Sequence, residues 1–200
     1  MTTVTVAPIV EGHGEVSAVR TLLTRVAQEF APACFVKVLQ PIRVSKSKII
    51  SDSNELLRAI DLAALKLSES NKNKGCVLLL LDADNDADCK LAPAMVQAAL
   101  SNRGHIAFSC VIAVIEFETW LVAGAEDLSE LLVAGYELSI PVDPEGQGIG
   151  KGWIEEFFDG TKYSESVDQV RLTARFDVRR ARSRCPSFDK LCRELLAWCT

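Results

Sequence analysis

The chain has 200 residues, of which 48% are hydrophobic and 24% are charged, and its formal net charge is −5. This composition is that of a globular protein with enough residues to bury a full core, as one large domain or as one domain with an extension. The acidic balance argues against a protein that coats nucleic acid nonspecifically. It does not exclude a nuclease, because bound metal ions mask acidic groups locally.

The first part of the chain alternates between predicted strands and predicted helices. Apolar, β-branched runs predict strands at residues 4–10, 35–44, 76–81 and 106–115, and helical periodicity predicts helices at 15–30, 54–67 and 91–100. Pro41 weakens the centre of the second strand, residues 45–53 are predicted to be a polar loop, and Ser53 is suited to cap the helix after it. The unbroken apolar run at 76–81 suits a strand buried on both faces of a parallel sheet.

The order of these elements predicts an α/β fold with a mostly parallel, Rossmann-like sheet flanked by helices. After about residue 120 the alternation of strands and helices gives way to predicted helices. Residues 121–132, 154–158 and 167–182 are predicted to be helical, residues 141–152 form a Gly/Pro-rich loop, and Ser187 is placed to cap a last helix. We therefore expect an α/β domain over residues 1–122 and a helical extension over 123–200, packed together as one compact unit.

Acidic residues follow three of the four predicted strands. They are Glu11 after the first strand, Asp82 and Asp84 after the third, and Glu116 and Glu118 after the fourth. Ligands of open parallel sheets bind beyond the carboxyl ends of the strands, so these side chains are expected to converge. Carboxylate oxygens are the ligands that Mg²⁺ prefers, and alternate residues of an extended chain can face one ion. Taken alone, the acidic run at residues 82–88 is explained equally well as a solvated loop.

Two short motifs resemble those of the Toprim superfamily, which includes topoisomerases, bacterial primases and the overcoming-lysogenization-defect (OLD) nucleases. Residues 9–15, Ile-Val-Glu-Gly-x-x-Glu, resemble the first motif, and residues 79–84, Leu-Leu-Leu-Asp-Ala-Asp, resemble the second. The Glu-x-Glu-x-Trp of residues 116–120 looks like an uncharacterised bacterial branch whose members often accompany ATPases and are suspected of roles in phage defence. The resemblance covers about residues 4–122 and is looser beyond them, through Lys151, Tyr163 and residues 187–188.

The resemblance implies metal-dependent hydrolysis of phosphodiesters in nucleic acid, with Mg²⁺ or Mn²⁺ as the cofactor and an ATPase as a partner protein. It makes Glu11 the general acid/base. The Gly-rich loop at residues 146–152 does not match the P-loop pattern, and it is expected to carry Lys151 toward the phosphate as a second catalytic residue, with a solvated lysine as the alternative. The implied metal ligands are Glu11, Glu15, Asp82, Asp84, Asp86, Glu116 and Glu118. Two alternatives stay open. One is a noncatalytic, metal-binding partner subunit of an ATPase complex, and the other is a D-x-D phosphatase with Asp82 as nucleophile and Asp84 as acid.

A stripe of arginines is the main basic feature of the C-terminal part. Its members recur at helical spacing and are Arg171, Arg175, Arg179 and Arg182. Residues three or four apart share a helix face, so the stripe is predicted to contact a nucleic-acid backbone. Ion pairs with Asp168 and Asp177 are the alternative.

The seven cysteines form no C-x-x-C pair and none stands at zinc spacing from a histidine, so we expect reduced thiols in a cytoplasmic protein. The first residues lack the basic region of a signal peptide, and no apolar run approaches the roughly 20 residues of a membrane helix. The oligomeric state cannot be predicted from these patterns.

Overall fold

The structure is a computed structural model, and it describes residues 2–70, 75–84, 107–129, 131–132, 139–158 and 162–200. The prediction of an α/β fold is confirmed: within these residues, five strands form one parallel sheet with helices against both faces. The predicted helix at 91–100 and the predicted ligand Asp86 lie outside the described residues.

The strands and helices are β1 Thr2–Val10, α1 His13–Phe30, β2 Cys34–Val38, β3 Ile42–Arg43, α2 Lys46–Ser51, α3 Ser53–Ser70, β4 Gly75–Asp82, β5 Ala107–Ala113, α4 Phe117–Ala123, α5 Lys151–Phe157, α6 Glu165–Thr173, α7 Val178–Arg184 and α8 Pro186–Cys199. A 3₁₀ turn at Ala125–Leu128 follows α4. The strand order is β2-β1-β4-β5, and β3 pairs with the end of β1 beyond β2. Because all pairs are parallel, β1, β4 and β5 end at the same edge of the sheet.

The central strands are buried on both faces, as the apolar run at residues 76–81 predicts. In β4, Leu78 and Leu80 enter the core that α1, α4 and α8 share, whereas Leu79 and Leu81 enter the core beneath α3. Successive side chains of a strand point to opposite faces. Asp82 at the end of β4 therefore continues the face of Leu80, toward α1 and α4.

The prediction of one strand at 35–44 and a loop at 45–53 is wrong. Pro41 has no N–H to continue the ladder, so the pairing with β1 passes from β2 to the two-residue β3. Residues 46–51 then form α2. In this short helix Ile49 is buried while Ser47 and Lys48 are exposed, so little periodicity is left in the sequence to reveal it.

The helical extension is more divided than predicted. Helix α4 begins at Phe117, before the expected start at 121, and it ends where Gly124 packs against the backbone of Asp177. The single helix predicted at 167–182 is wrong, because α6 ends at Thr173 and α7 begins only at Val178. The carboxylate of Asp177 caps α7 by accepting hydrogen bonds from two backbone N–H groups.

Ser187 lies inside α8 and does not cap it, because Cys185 is the N-cap residue. The Ser187 hydroxyl accepts a hydrogen bond from Trp120 Nε1 at 2.7 Å and donates one to Glu145 Oε1 at 2.5 Å. These bonds join α8, α4 and the Gly/Pro-rich loop, so they hold the loop that leads to α5 against the core.

The six cysteines of the described residues form no disulfide bonds with one another. Within the same part of the chain, no helix is both long and apolar enough to cross a membrane. The core between the sheet and α1 continues without a break into α6, α7 and α8.

Candidate functional site

Five carboxylates meet at the carboxyl edge of the sheet. Glu11 directly follows β1, and Glu15 lies in the first turn of α1. Asp82 is the last residue of β4, and Asp84 follows it two residues later. Glu118 lies in the first turn of α4. The pKa of Asp82 is raised well above its ordinary value, first by burial and then by the charges of the other four. Each of the four charges acts on Asp82, so the five acids form one electrostatic cluster. We call these residues the acid cluster.

Glu15 and Glu118 are the deeply buried members of the acid cluster, with side chains only 6% and 4% exposed. Burial raises the pKa of both, and that of Glu118 reaches about 7. Tyr163 donates its hydroxyl to Glu118 Oε1 at 2.7 Å, and Gln169 Nε2 donates to the same oxygen at 3.2 Å. Gln169 on α6 and Tyr163 in the segment before α6 therefore hold the Glu118 side chain in place.

The turn between β1 and α1 is shaped around the Glu15 side chain. Its Oε2 atom occupies the space that a Cβ atom on Gly12 would take. In the same way, the Gln169 side chain fills the space next to Gly14. The two glycines of this turn are required by close packing, and replacing Gly12 would displace a carboxylate of the acid cluster.

Lys46 is a site residue that the sequence reasoning missed. Its ammonium group donates to the carbonyl of Ala83 at 2.9 Å and to Asp84 Oδ2 at 3.0 Å, and its backbone N–H donates to Glu11 Oε1 at 3.3 Å. The side chain is only 12% exposed. Its one sequence signal was a lysine in a polar run, and only the folding of α2 across the sheet edge brings it between two acids.

The backbone is strained where β4 and β5 lead into the site. Asp84 and Ile115 have φ angles of 53° and 67°, and the Asp84 N–H donates to the Ile115 carbonyl at 2.7 Å. A left-handed conformation is unusual for a β-branched residue such as Ile115. Strain of this kind is concentrated at functional sites, where the surrounding structure holds the backbone in place.

The expectation that Glu116 and Glu118 face one ion as alternate residues of an extended chain is wrong, because α4 begins between them. Glu116 is the N-cap residue of α4 and forms a capping box with Thr119. Its Oε2 atom also accepts a hydrogen bond from the backbone N–H of Lys151 at 2.8 Å. Glu116 thus ties α4 to the start of α5, and Glu118 alone of the pair enters the acid cluster.

Lys151 begins α5 beside the site. Its ammonium group lies 2.5 Å from Glu165 Oε1 and 4.0 Å from Glu155 Oε1, and the bond to Glu165 raises its pKa. The backbone of Lys151 contacts Glu116, and this contact places the lysine next to the acid cluster.

The arginine stripe is divided between two helices and the turn that joins them, so its members do not share one helix face. Arg171 on α6 pairs with Asp168 at 2.7 Å, in line with the alternative. On α7, Arg179 and Arg182 lie over the ring of Phe30, and each also contacts a carboxylate. Contact of Arg171, Arg175, Arg179 and Arg182 with nucleic acid stays a prediction.

The acid cluster has the donor chemistry of a site for a hard divalent cation, although it is not a closed ligand set. In the described ranges, no three His, Cys, Asp or Glu side chains are placed together as ready metal ligands. Two buried carboxylate oxygens, Glu11 Oε2 and Glu15 Oε2, have no hydrogen-bond partner in the part of the chain that the structure describes. A buried anionic oxygen without a partner is costly, and a cation would relieve this cost. The residues present therefore fit a metal ion that draws these oxygens together.

The comparisons with known proteins gave one match. A protein-family model described as a domain of unknown function, DUF4276, matches residues 10–196. This range contains the whole acid cluster, Lys46 and the residues of α6 that contact Glu118. No curated protein and no solved structure matches the chain.

Proposed function

The chain belongs to the DUF4276 family, and we propose that it is a Toprim-like protein that hydrolyses phosphodiesters of nucleic acid with a divalent metal ion. The observation that carries the proposal is the group of five electrostatically coupled carboxylates at the carboxyl edge of the parallel sheet, three of them at the ends of β1 and β4 and two in the first turns of α1 and α4. Ligands bind at this edge in open α/β sheets. The order of the motifs along the chain, which resembles that of Toprim proteins, supports the same proposal.

Glu11, Glu15 and Asp82 are the proposed ligands of Mg²⁺ or Mn²⁺, with Asp84, Glu118 and Asp86 as further candidates. When bound, such an ion stabilises the negative charge that develops on phosphate oxygens and lowers the pKa of a coordinated water. Ligation requires ionised carboxylates. Because the pKa of Asp82 is raised, metal binding to this site would release protons, and metal affinity would increase with pH.

Glu11 is the proposed general acid/base. The backbone N–H of Lys46 holds its Oε1 atom, whereas Oε2 has no hydrogen-bond partner among the described residues. Burial is the main cause that raises the pKa of Glu11, and the hydrogen bond from Lys46 opposes the rise. A raised pKa brings a carboxylate closer to the value at which proton transfer is efficient near neutral pH.

Two further proposals come from the Toprim-like resemblance alone: an ATPase as partner protein and a role in phage defence. A cytoplasmic location is also proposed, and it rests on the cysteine pattern of the sequence. The noncatalytic alternative uses the same acid cluster to bind metal. It differs from the proposed function in that the chain does not cleave nucleic acid. The phosphatase alternative has less support. In that chemistry the D-x-D motif usually follows the first strand of the fold, whereas Asp82 and Asp84 lie at the end of β4.

The proposal is tested by incubating the purified full chain with labelled DNA and RNA in Mn²⁺ or Mg²⁺, alone and with an ATPase partner. Glu11→Gln should lower the cleavage rate by at least about a hundredfold, the size expected for loss of a general acid/base. Asp82→Asn should also lower the cleavage rate, because it removes a proposed metal ligand. The matched control is Glu69→Gln, the same chemical change at an exposed residue of α3. Cleavage that persists undiminished in Glu11→Gln would refute its role, and metal binding without any cleavage would favour the noncatalytic alternative.

A further inference from the structure

An open depression of about 620 Å³ lies next to the acid cluster. Six of its lining residues are His13, Lys151, Lys162, Tyr163, Ser164 and Ser166. Two of these connect it to the cluster. Tyr163 lines the depression and donates its hydroxyl to Glu118, and His13 is the first residue of α1, between Glu11 and Glu15 in the chain. The depression and the acid cluster are therefore neighbouring sites with a shared wall.

The lining of the depression favours an anion. Lys162 is exposed and forms no ion pair with any described residue, and Lys151 is partly exposed. The hydroxyls of Ser164 and Ser166 lie 3.2 Å apart, so that one donates to the other and the second hydrogen remains for a ligand. Glu165 also lines the depression, but Lys151 already binds its carboxylate.

Ammonium and hydroxyl groups are common donors to phosphate oxygens, and contacts to phosphates position a nucleic-acid strand on a protein. The chain as a whole is acidic, with a net charge of −5, so a strand needs local positive groups to approach the acid cluster. On the arginine stripe, three of the four members are engaged by carboxylates of the chain itself.

We propose that this depression binds a backbone phosphate adjacent to the one that is hydrolysed, with Lys162 as its main charged contact and Lys151, which also pairs with Glu165, as the second. The inference rests on the proposed function, because it defines the path of the substrate strand toward the same site. Tyr163 stands between the two phosphate positions, with its hydroxyl on Glu118 and its ring in the wall of the depression.

The test measures binding without catalysis, so that it can fail independently of the cleavage assay. The full chain is titrated into a fluorescently labelled short single-stranded DNA in the presence of EDTA, and anisotropy is followed over a range of salt concentrations. Lys162→Gln should lower the slope of log K against log salt by about 0.7, the value for one phosphate contact on a single strand. The same slope corresponds to an affinity about fivefold weaker near 0.1 M salt.

Lys66→Gln is the matched control, because it removes one positive charge from α3, on the opposite face of the sheet, where Lys66 donates to the Gln40 carbonyl. Urea unfolding of both variants checks that the fold is retained. Three results would overturn the inference. They are a salt slope for Lys162→Gln equal to that of the wild type, equal losses of DNA affinity in Lys162→Gln and Lys66→Gln, and no binding of the strand by the wild-type chain. Weaker binding of inorganic phosphate with an unchanged slope for DNA would also overturn it, since the depression would then bind free phosphate.

Discussion

Replacing Glu118 with glutamine tests whether the acid cluster holds unfavourable negative charge. Burial raises the pKa of Glu118 from its ordinary value of 4.5 to about 7 in the folded chain. The folded state therefore binds this proton more tightly than the unfolded state does. Stability contributed by the protonated group is complete below about pH 4.5 and is lost as the pH rises toward 7. The difference between the two pKa values corresponds to about 3 kcal/mol of lost stability near pH 8.

Glutamine at position 118 removes the charge and keeps the oxygen that accepts hydrogen bonds from Tyr163 and Gln169. Exchanging a charged acceptor for a neutral one costs about 1 kcal/mol. We therefore expect Glu118→Gln to raise the free energy of unfolding by about 2 kcal/mol near pH 8, and by much less near pH 5. Stabilisation by removal of an acid is typical of a site at which function opposes stability.

Urea unfolding of the wild-type chain and of Glu118→Gln, followed by circular dichroism at the two pH values, measures this difference. Glu69→Gln, at an exposed position of α3, should leave stability at both pH values within about 0.5 kcal/mol of wild type. A Glu118→Gln variant that is destabilised equally at pH 5 and pH 8 would refute the reasoning. It would mean that the charge on Glu118 is satisfied in the folded state and that the carboxylate has only a structural role.

Two further substitutions test the surroundings of the acid cluster. Gly12→Ala should displace the Glu15 carboxylate, lower the free energy of unfolding by about 1–3 kcal/mol and abolish metal-dependent cleavage. The control is Gly152→Ala, whose Cβ meets no described atom within 4 Å, and it should preserve both stability and cleavage. Equal behaviour of the two variants in urea unfolding and cleavage assays would contradict this packing role. Lys46→Met should cost about 1 kcal/mol, because it leaves the partly buried Ala83 carbonyl without its donor, whereas the Asp84 carboxylate is exposed to water. An unchanged urea midpoint for Lys46→Met would show that the ammonium contacts contribute nothing.

The sequence by itself determined the layered α/β order of the elements and the position of the acids at one edge of the sheet. Apolar runs without alternation, such as residues 76–81, indicate strands buried on both faces, because burial removes the need for polar side chains. An acid directly after such a strand must lie at the edge where parallel strands end. Glu11, Asp82 and Asp84 were predicted to lie together on this ground, and the structure brings them together.

Only the tertiary structure decided which groups surround those acids. It placed Lys46 on Asp84, turned Glu116 into a helix cap, brought Tyr163 and Gln169 onto Glu118, and divided the arginine stripe. Each of these contacts joins residues far apart in the chain or depends on the residue at which a helix ends. Periodicity records which face of an element is buried, and it carries no information about which distant side chain that face will meet. The fold was therefore predictable from local pattern, whereas the partners and protonation of the site depended on packing between elements.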